Sequence, residues 1–255
     1  MLSERNKFIV VVAITLLSFP VLLAACPDAE LKLQRFESAE RHMGTRFRMI
    51  LYAEDPRTAN RAFAAAFARI QQLNQTLSDY DTNSELGQLG ATSPHTVPVR
   101  VSHDLWTVIH HAQQLSAETN GAFDATVGPL TKLWRRARRR KMLPPTVLLE
   151  QARKLVDYEF LEMDPNNRSI RLVRPNMRLD VGALGKGYAA DTALAELRAL
   201  GIARASVDAG GDLALGDPPP GDDGWKIAVA NTDLAAAPSR MIRLANVGVA
   251  TSGDA

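Results

Sequence analysis

Asp180-Val-Gly-Ala-Leu-Gly-Lys-Gly-Tyr-Ala-Ala-Asp191 is the stretch on which the choice of fold turns. Arg178 to Val181 reads as a strand, two glycines let the backbone bend, and a helix is predicted over Lys186 to Leu200, stopped by Gly201. Free N–H groups at a helix start, with the Lys186 ammonium beside them, suit a phosphate. A Walker A loop needs Gly-x-x-x-x-Gly-Lys-Ser/Thr. Here Asp180 stands at the first glycine and Gly187 follows the lysine, so the P-loop reading fails. A plain strand–turn–helix packing joint is the other reading of the same residues.

Upstream of this joint the pattern is mainly helical. Arg41 to Ala53 reads as a strand in which Phe47, Met49 and Leu51 alternate with Arg46, Arg48 and Ile50. Asp55-Pro56 supplies an N-cap and an N1 proline. The helix that follows places Phe63, Phe67, Ile70, Leu73 and Leu77 on one stripe. Ser78 to Ala91 is polar and Gly-punctuated and is expected to be a loop. A second helix follows Ser102, with Leu105, Val108, Ile109, Ala112 and Leu115 inward and Asn120-Gly121 closing it. A shorter one is expected from Thr146 to about Val156, and Ser169 to Val173 as a strand. Downstream, strands are expected at Ala205–Asp208, Leu213–Leu215, Trp225–Ala230, Met241–Leu244 and Val247–Thr251. Helices early and strands late, without a βαβαβ order, predict an α+β fold with mixed or antiparallel sheets and flanking helices, not a Rossmann fold.

The chain has 255 residues, 46% hydrophobic and 23% charged, with a net charge of +2. That balance disfavours nucleic acid as a partner. At the start, Arg5 and Lys7 precede an apolar run from Phe8 to Ala25 that ends in Leu23-Ala24-Ala25-Cys26, the only cysteine. A charged n-region, an apolar h-region and small residues at the end describe a secretory signal. The ending resembles a bacterial lipobox, with Cys26 lipidated as the mature N-terminus. An uncleaved anchor is the alternative. On the lipobox reading, residues 1–25 are a signal peptide, 26–40 a linker and 41–255 the folded domain, held at the periplasmic side of a bacterial membrane.

Four further signals sit around the joint. Asp208-Ala-Gly-Gly-Asp212 reads as a hairpin turn, or as glycines that admit a flat or phosphorylated ligand. Gly121-Ala-Phe-Asp-Ala-Thr-Val-Gly128 offers an aromatic beside Asp124. Tyr80, between Asp79 and Asp81, can stack on a ring. Trp134-Arg-Arg-Ala-Arg-Arg-Arg-Lys141 is locally basic: a solvated face, an attraction to anionic headgroups, or a steering field for an anionic ligand. The five histidines show no zinc spacing, and no Gly-x-Ser-x-Gly elbow is present.

In order and spacing the set resembles the FAD:protein FMN transferase family, the ApbE-type flavin transferases. The matching stretches are Met43-Gly44-Thr45, then Leu77-Ser78-Asp79-Tyr80 with Ser84-Glu85, then Gly121 to Leu130. They continue with Asp180 to Asp191, Asp208 to Asp212, and Val249-Ala-Thr-Ser-Gly-Asp254. The resemblance implies an ApbE-like, T-fold-like α+β architecture. It also implies a transferase that moves FMN from FAD onto a Ser or Thr of a target protein, releasing AMP with Mg2+. By position, Met43, Tyr80, Ala122, Phe123, Asp124, Asp180 and Lys186 would contact FAD, and Ala183 would lend its backbone carbonyl to the metal. The catalytic base has no candidate among these residues. Family members continue beyond Ala255, and the resemblance puts a histidine segment and Asp and Thr metal ligands there; the 255-residue chain alone is therefore expected to be unstable or inactive. A tethered FAD-binding protein and an FAD pyrophosphatase are the alternatives.

Overall fold

The computed structural model describes residues 32–229 and 240–251. Its first element is not the single strand expected from Arg41 onwards but a hairpin. Strand β1 (Gln34–His42) pairs antiparallel with β2 (Thr45–Ala53), so part of the segment read as a linker is sheet. The turn between them is Met43-Gly44, with φ of 47° and 74°. Two successive left-handed residues are what a two-residue hairpin loop needs to match the twist of its strands. Along β2 the expected alternation holds: Phe47, Met49, Leu51 and Ala53 are buried. Burying each of the larger three contributes ~1.5–3 kcal/mol.

Helix α1 (Pro56–Leu77) begins at Asp55, whose Oδ1 accepts the Arg57 and Thr58 N–H groups at 2.7 and 3.1 Å. Its apolar stripe of Phe63, Phe67, Ile70, Leu73 and Leu77 is buried, as the spacing predicts. The polar stretch expected to be a loop contains a short helix, α2 (Glu85–Ala91), capped by Ser84. Strand β3 (Val99–Arg100) leads into α3 (His103–Glu118), whose cap Ser102 accepts the Leu105 N–H at 3.2 Å. Asn120 and Gly121 close it with positive φ. The basic run falls in α4 (Gly128–Arg140), followed by α5 (Thr146–Arg153).

Strands β4 (Leu161–Asp164) and β5 (Ser169–Leu172) form a three-stranded antiparallel sheet with β3, in the order β3-β5-β4. Arg178 to Val181, expected as a strand, joins no ladder; its long-range backbone bond runs from the Asp180 N–H to the Ala125 carbonyl at 2.8 Å, and Val181 already caps the next helix. Helix α6 (Gly182–Ala199) starts four residues earlier than expected. Strands β6 (Ala205–Asp208), β7 (Asp212–Leu215) and β10 (Val247–Ala250) complete a five-stranded antiparallel sheet, β1-β2-β6-β7-β10. A separate hairpin joins β8 (Trp225–Val229) to β9 (Arg240–Leu244). Helices α1 and α6 pack on one another and on the large sheet, so the core lies between that helical layer and the sheet. This is the α+β, antiparallel architecture that the sequence predicts. Among the described residues no helix is long and apolar enough to cross a membrane.

Candidate functional site

Elements far apart in sequence bound one cleft of about 450 Å³. The hairpin turn supplies Met43 and Gly44. The C-terminal end of α1 and the residues after it supply Asn74, Leu77, Ser78, Asp79 and Tyr80. Helix α4 contributes Arg135, and the joint into α6 contributes Val181, Gly182, Gly185 and Lys186. Of the residues singled out in the sequence, Met43, Tyr80 and Lys186 thus line the same space, and Asp180 meets it through Arg135.

Arg135 organises the wall of this cleft. Its guanidinium lies 4.0 Å from the Tyr80 ring centroid. Nη1 pairs with Asp79 and Nη2 with Asp180 at 2.9 Å. Burial pushes the Asp79 carboxyl above its usual range, and the Arg135 hydrogen bond only partly offsets this. Burial also opposes the charge on Arg135, but Asp79 and Asp180 outweigh it and raise its pKa. On the far side of Tyr80 and Arg135 a smaller cavity of about 200 Å³ gathers Lys132, Arg139 and Arg178. Neighbouring cations of this density suit an anionic group.

The helix start differs from the expectation in one chemical respect. Asp180 Oδ1 accepts the Gly182 N–H at 2.9 Å, and the Val181 carbonyl accepts those of Leu184 and Gly185. Of the first four amides only that of Ala183 has no acceptor among the described residues. Lys186 lies one turn further in, and its ammonium is 2.9 Å from Asp212 Oδ2. The two glycine motifs of the sequence therefore meet at this ion pair. The glycines of the second motif serve the hairpin: Asp208 Oδ1 accepts the Gly210 and Gly211 N–H groups, φ is 74° and 103°, and a Cβ on Gly210 would fall 2.2 Å from Thr45 Oγ1.

Ala122, Phe123 and Asp124 are not brought to the cleft. Asp124 Oδ1 accepts the N–H and the hydroxyl of Thr126, both at 2.7 Å, and so caps the single 3-10 turn before α4. Ala183 lines another cavity of about 450 Å³, with His111, Asp191, Asp212 and Val249. Burial pushes the Asp191 carboxyl up. Asp212 is already committed to Lys186, and among the described residues no three His, Cys, Asp or Glu side chains converge on a metal position. Asp191, Asp212 and the backbone at Ala183 bring oxygen donors to one cavity, the kind Mg2+ takes together with waters and substrate phosphates. Cys26 and Ser252 to Asp254 lie outside the described residues.

Sequence reasoning missed Arg135. Its acidic partners are 56 and 45 residues away, and it sat unmarked in a run of arginines. Behind the cleft a second clamp fixes α6. Asp104 accepts from Arg69 at 2.6 Å and from the Tyr188 hydroxyl at 2.8 Å, tying α1, α3 and α6 together. Burial raises the Asp104 carboxyl, but these two donors outweigh it and leave it below its ordinary value. Burial, reinforced by Asp104, pushes the Tyr188 phenol up to about 12.

Comparisons with known proteins bear on the family and the fold. The chain is 27% identical over 241 residues to the FAD:protein FMN transferase of Haemophilus influenzae, covering 91% of this chain and 68% of that relative. It is 28% identical over 192 residues to the enzyme of that name from Treponema pallidum, where it covers 72% of this chain and spans only about half (53%) of the relative. Among solved structures, the flavin transferase ApbE of Vibrio cholerae superimposes with a TM-score of 0.79 at 25% identity, covering 87% of this chain and 72% of that one. The ApbE protein of Thermotoga maritima gives 0.76 at 27% identity, covering 87% and 71%. A family model described as the ApbE family matches residues 43–255, nearly the whole of the folded part, and the chain belongs to that family.

Proposed function

We propose that the cleft receives FAD and that the chain transfers the FMN part of FAD to a protein. The observation that carries this is the convergence of Met43, Tyr80, Gly185 and Lys186 on one cleft at the start of α6. Tyr80 presents an aromatic face of the right kind for an isoalloxazine, and Arg135 already stacks on its ring. Lys186 brings positive charge to where a diphosphate would lie.

On this reading a Ser or Thr hydroxyl oxygen of the acceptor attacks the phosphorus of the FMN half. A P–O bond forms there, the P–O bond to the AMP half breaks, and the hydroxyl proton is released as AMP leaves. The Lys186 ammonium counters the charge that builds on the phosphoryl oxygens. No described residue is assigned as base. Mg2+, which the resemblance implies, would take oxygen donors from the cavity of Ala183, Asp191 and Asp212 and would add charge stabilisation at the phosphoryl oxygens. Arg5, Lys7, the apolar run and Cys26 support a lipid anchor at the periplasmic face of a bacterial membrane.

The test is to incubate the purified chain with FAD and a candidate acceptor. A mass gain of one FMN on a Ser or Thr of the acceptor supports transfer. Free FMN and AMP instead would make it a pyrophosphatase, and binding without turnover a flavin carrier.

A further inference from the structure

Residues 125–149 contain seven of the chain's thirty Lys and Arg and none of its twenty-eight Asp and Glu. Arg135 is taken up by Asp79 and Asp180. The other six, Lys132, Arg136, Arg138, Arg139, Arg140 and Lys141, are exposed and pair with no carboxylate among the described residues. Lys132 and Arg139 face the smaller cavity, which leaves Arg136, Arg138, Arg140 and Lys141 without a task in the candidate site.

Charge alone would be a solvated face, but this face has an apolar tip. Helix α4 ends at Lys141, which adopts a left-handed φ of 51° and turns the chain back towards α5. The corner holds Met142 and Leu143, 69% and 82% exposed, and the first turn of α5 adds Val147 at 62%. Bulky apolar side chains are rarely left this bare so close together, and these follow directly on the basic run that ends at Lys141. Apolar groups that can enter the acyl boundary, ringed by Arg and Lys that reach phosphate oxygens, are the chemistry of interfacial binding. An acidic protein would complement the charge but would not call for a projecting Met142-Leu143 pair flanked by Pro144-Pro145.

We propose that the α4–α5 corner docks on an anionic lipid surface, with Met142 and Leu143 inserted and Arg136, Arg138, Arg140 and Lys141 on the headgroups. The contact is distinct from the lipid anchor read at Cys26.

The test is backbone hydrogen exchange on the full chain, reconstituted into neutral phosphatidylcholine vesicles and into vesicles containing phosphatidylglycerol. Total association with vesicles, read by flotation, reports the anchor; exchange of the peptide around 138–149 reports the corner. The expected result is exchange several-fold slower in the anionic vesicles, reversed by salt. Arg138→Glu with Arg140→Glu, which should cost about tenfold or more in headgroup affinity, should remove most of the protection, and Met142→Ser with Leu143→Ser should remove it, both with unchanged melting temperature and FAD affinity. Equal exchange in the two vesicle types overturns the proposal whether or not the chain floats. So does protection that follows protein concentration in neutral vesicles, which would mark a contact between copies.

Discussion

The guanidinium of Arg135 lies 4.0 Å from the centre of the Tyr80 ring while the same side chain bridges Asp79 and Asp180. One face of the phenol is thus covered, yet Tyr80 remains 73% exposed, so a planar ligand has an aromatic platform whose backing is fixed by two ion pairs. Tyr80→Ala should weaken FAD binding by about tenfold or more, the scale of a base–aromatic stack, whereas Tyr80→Phe should retain it. Arg135→Ala should cost ~1–3 kcal/mol of stability, because it leaves two part-buried carboxylates facing each other unpaired. That loss should be largest at neutral pH and shrink in acid, as Asp79, already raised by burial, takes up a proton. Calorimetric titration and melting curves against pH check both.

Lys186 is a ligand candidate that already has an internal partner. Its 2.9 Å contact with Asp212 holds the ammonium beside the cleft, and a phosphate entering there would share it. Lys186→Met should weaken FAD binding by about tenfold to a hundredfold, the range of one charge-assisted hydrogen bond. Asp212→Asn removes the competing negative charge and should leave affinity unchanged or higher. Equal weakening by both variants would mean that the pair acts only as a structural tie.

The helices and the inward face of β2 were legible because their signals are local. Asp55-Pro56, Ser102 and the spacing from Phe63 to Leu77 each act within a few residues. The first hairpin was not, since methionine seldom occupies a left-handed turn and only Gly44 marked the reversal. Helix α2 was hidden by Gly87 and Gly90, which look like breakers. A Cβ on Gly87 would stand 2.3 Å from the Asp81 carbonyl, so that glycine is demanded by packing rather than by a loop. In the site, the residues carried over from the family divided between the cleft, a capping turn and a second cavity. The part no local pattern could show is Arg135, whose role comes from partners brought close only by the fold.

The Arg35–Glu37–Arg48 group on the exposed side of the β1–β2 hairpin gives a pH signature. Hydrogen bonds from Arg48 and then Arg35, both at 2.6 Å, lower the Glu37 carboxyl from 4.5 to about 2. A carboxyl lower in the folded state contributes stability that is complete above its unfolded pKa and is lost as pH falls through its folded one. Glu37→Gln should therefore lower the melting temperature above about pH 4.5 and converge with the parent near pH 2. All three side chains are at least a third exposed, so the difference should be modest, ~1 kcal/mol or less. A constant difference across that range would mean that packing, not charge, is lost.

Gly185 separates stability from binding in a single substitution. It lies in the first turns of α6, is buried, and lines the cleft, yet a Cβ built on it meets no atom within 4 Å. Nothing in the protein itself requires glycine there, and a helical Gly→Ala change ordinarily stabilises by ~0.5–1 kcal/mol. The space that the Cβ would fill is the space assigned to FAD. Gly185→Ala should therefore raise the melting temperature slightly while weakening FAD binding. Gly187, also free of neighbours but on the side of the second cavity, serves as the control: Gly187→Ala should stabilise without loss of affinity. If Gly185→Ala binds FAD as tightly as the parent, the flavin nucleotide does not lie against the start of α6.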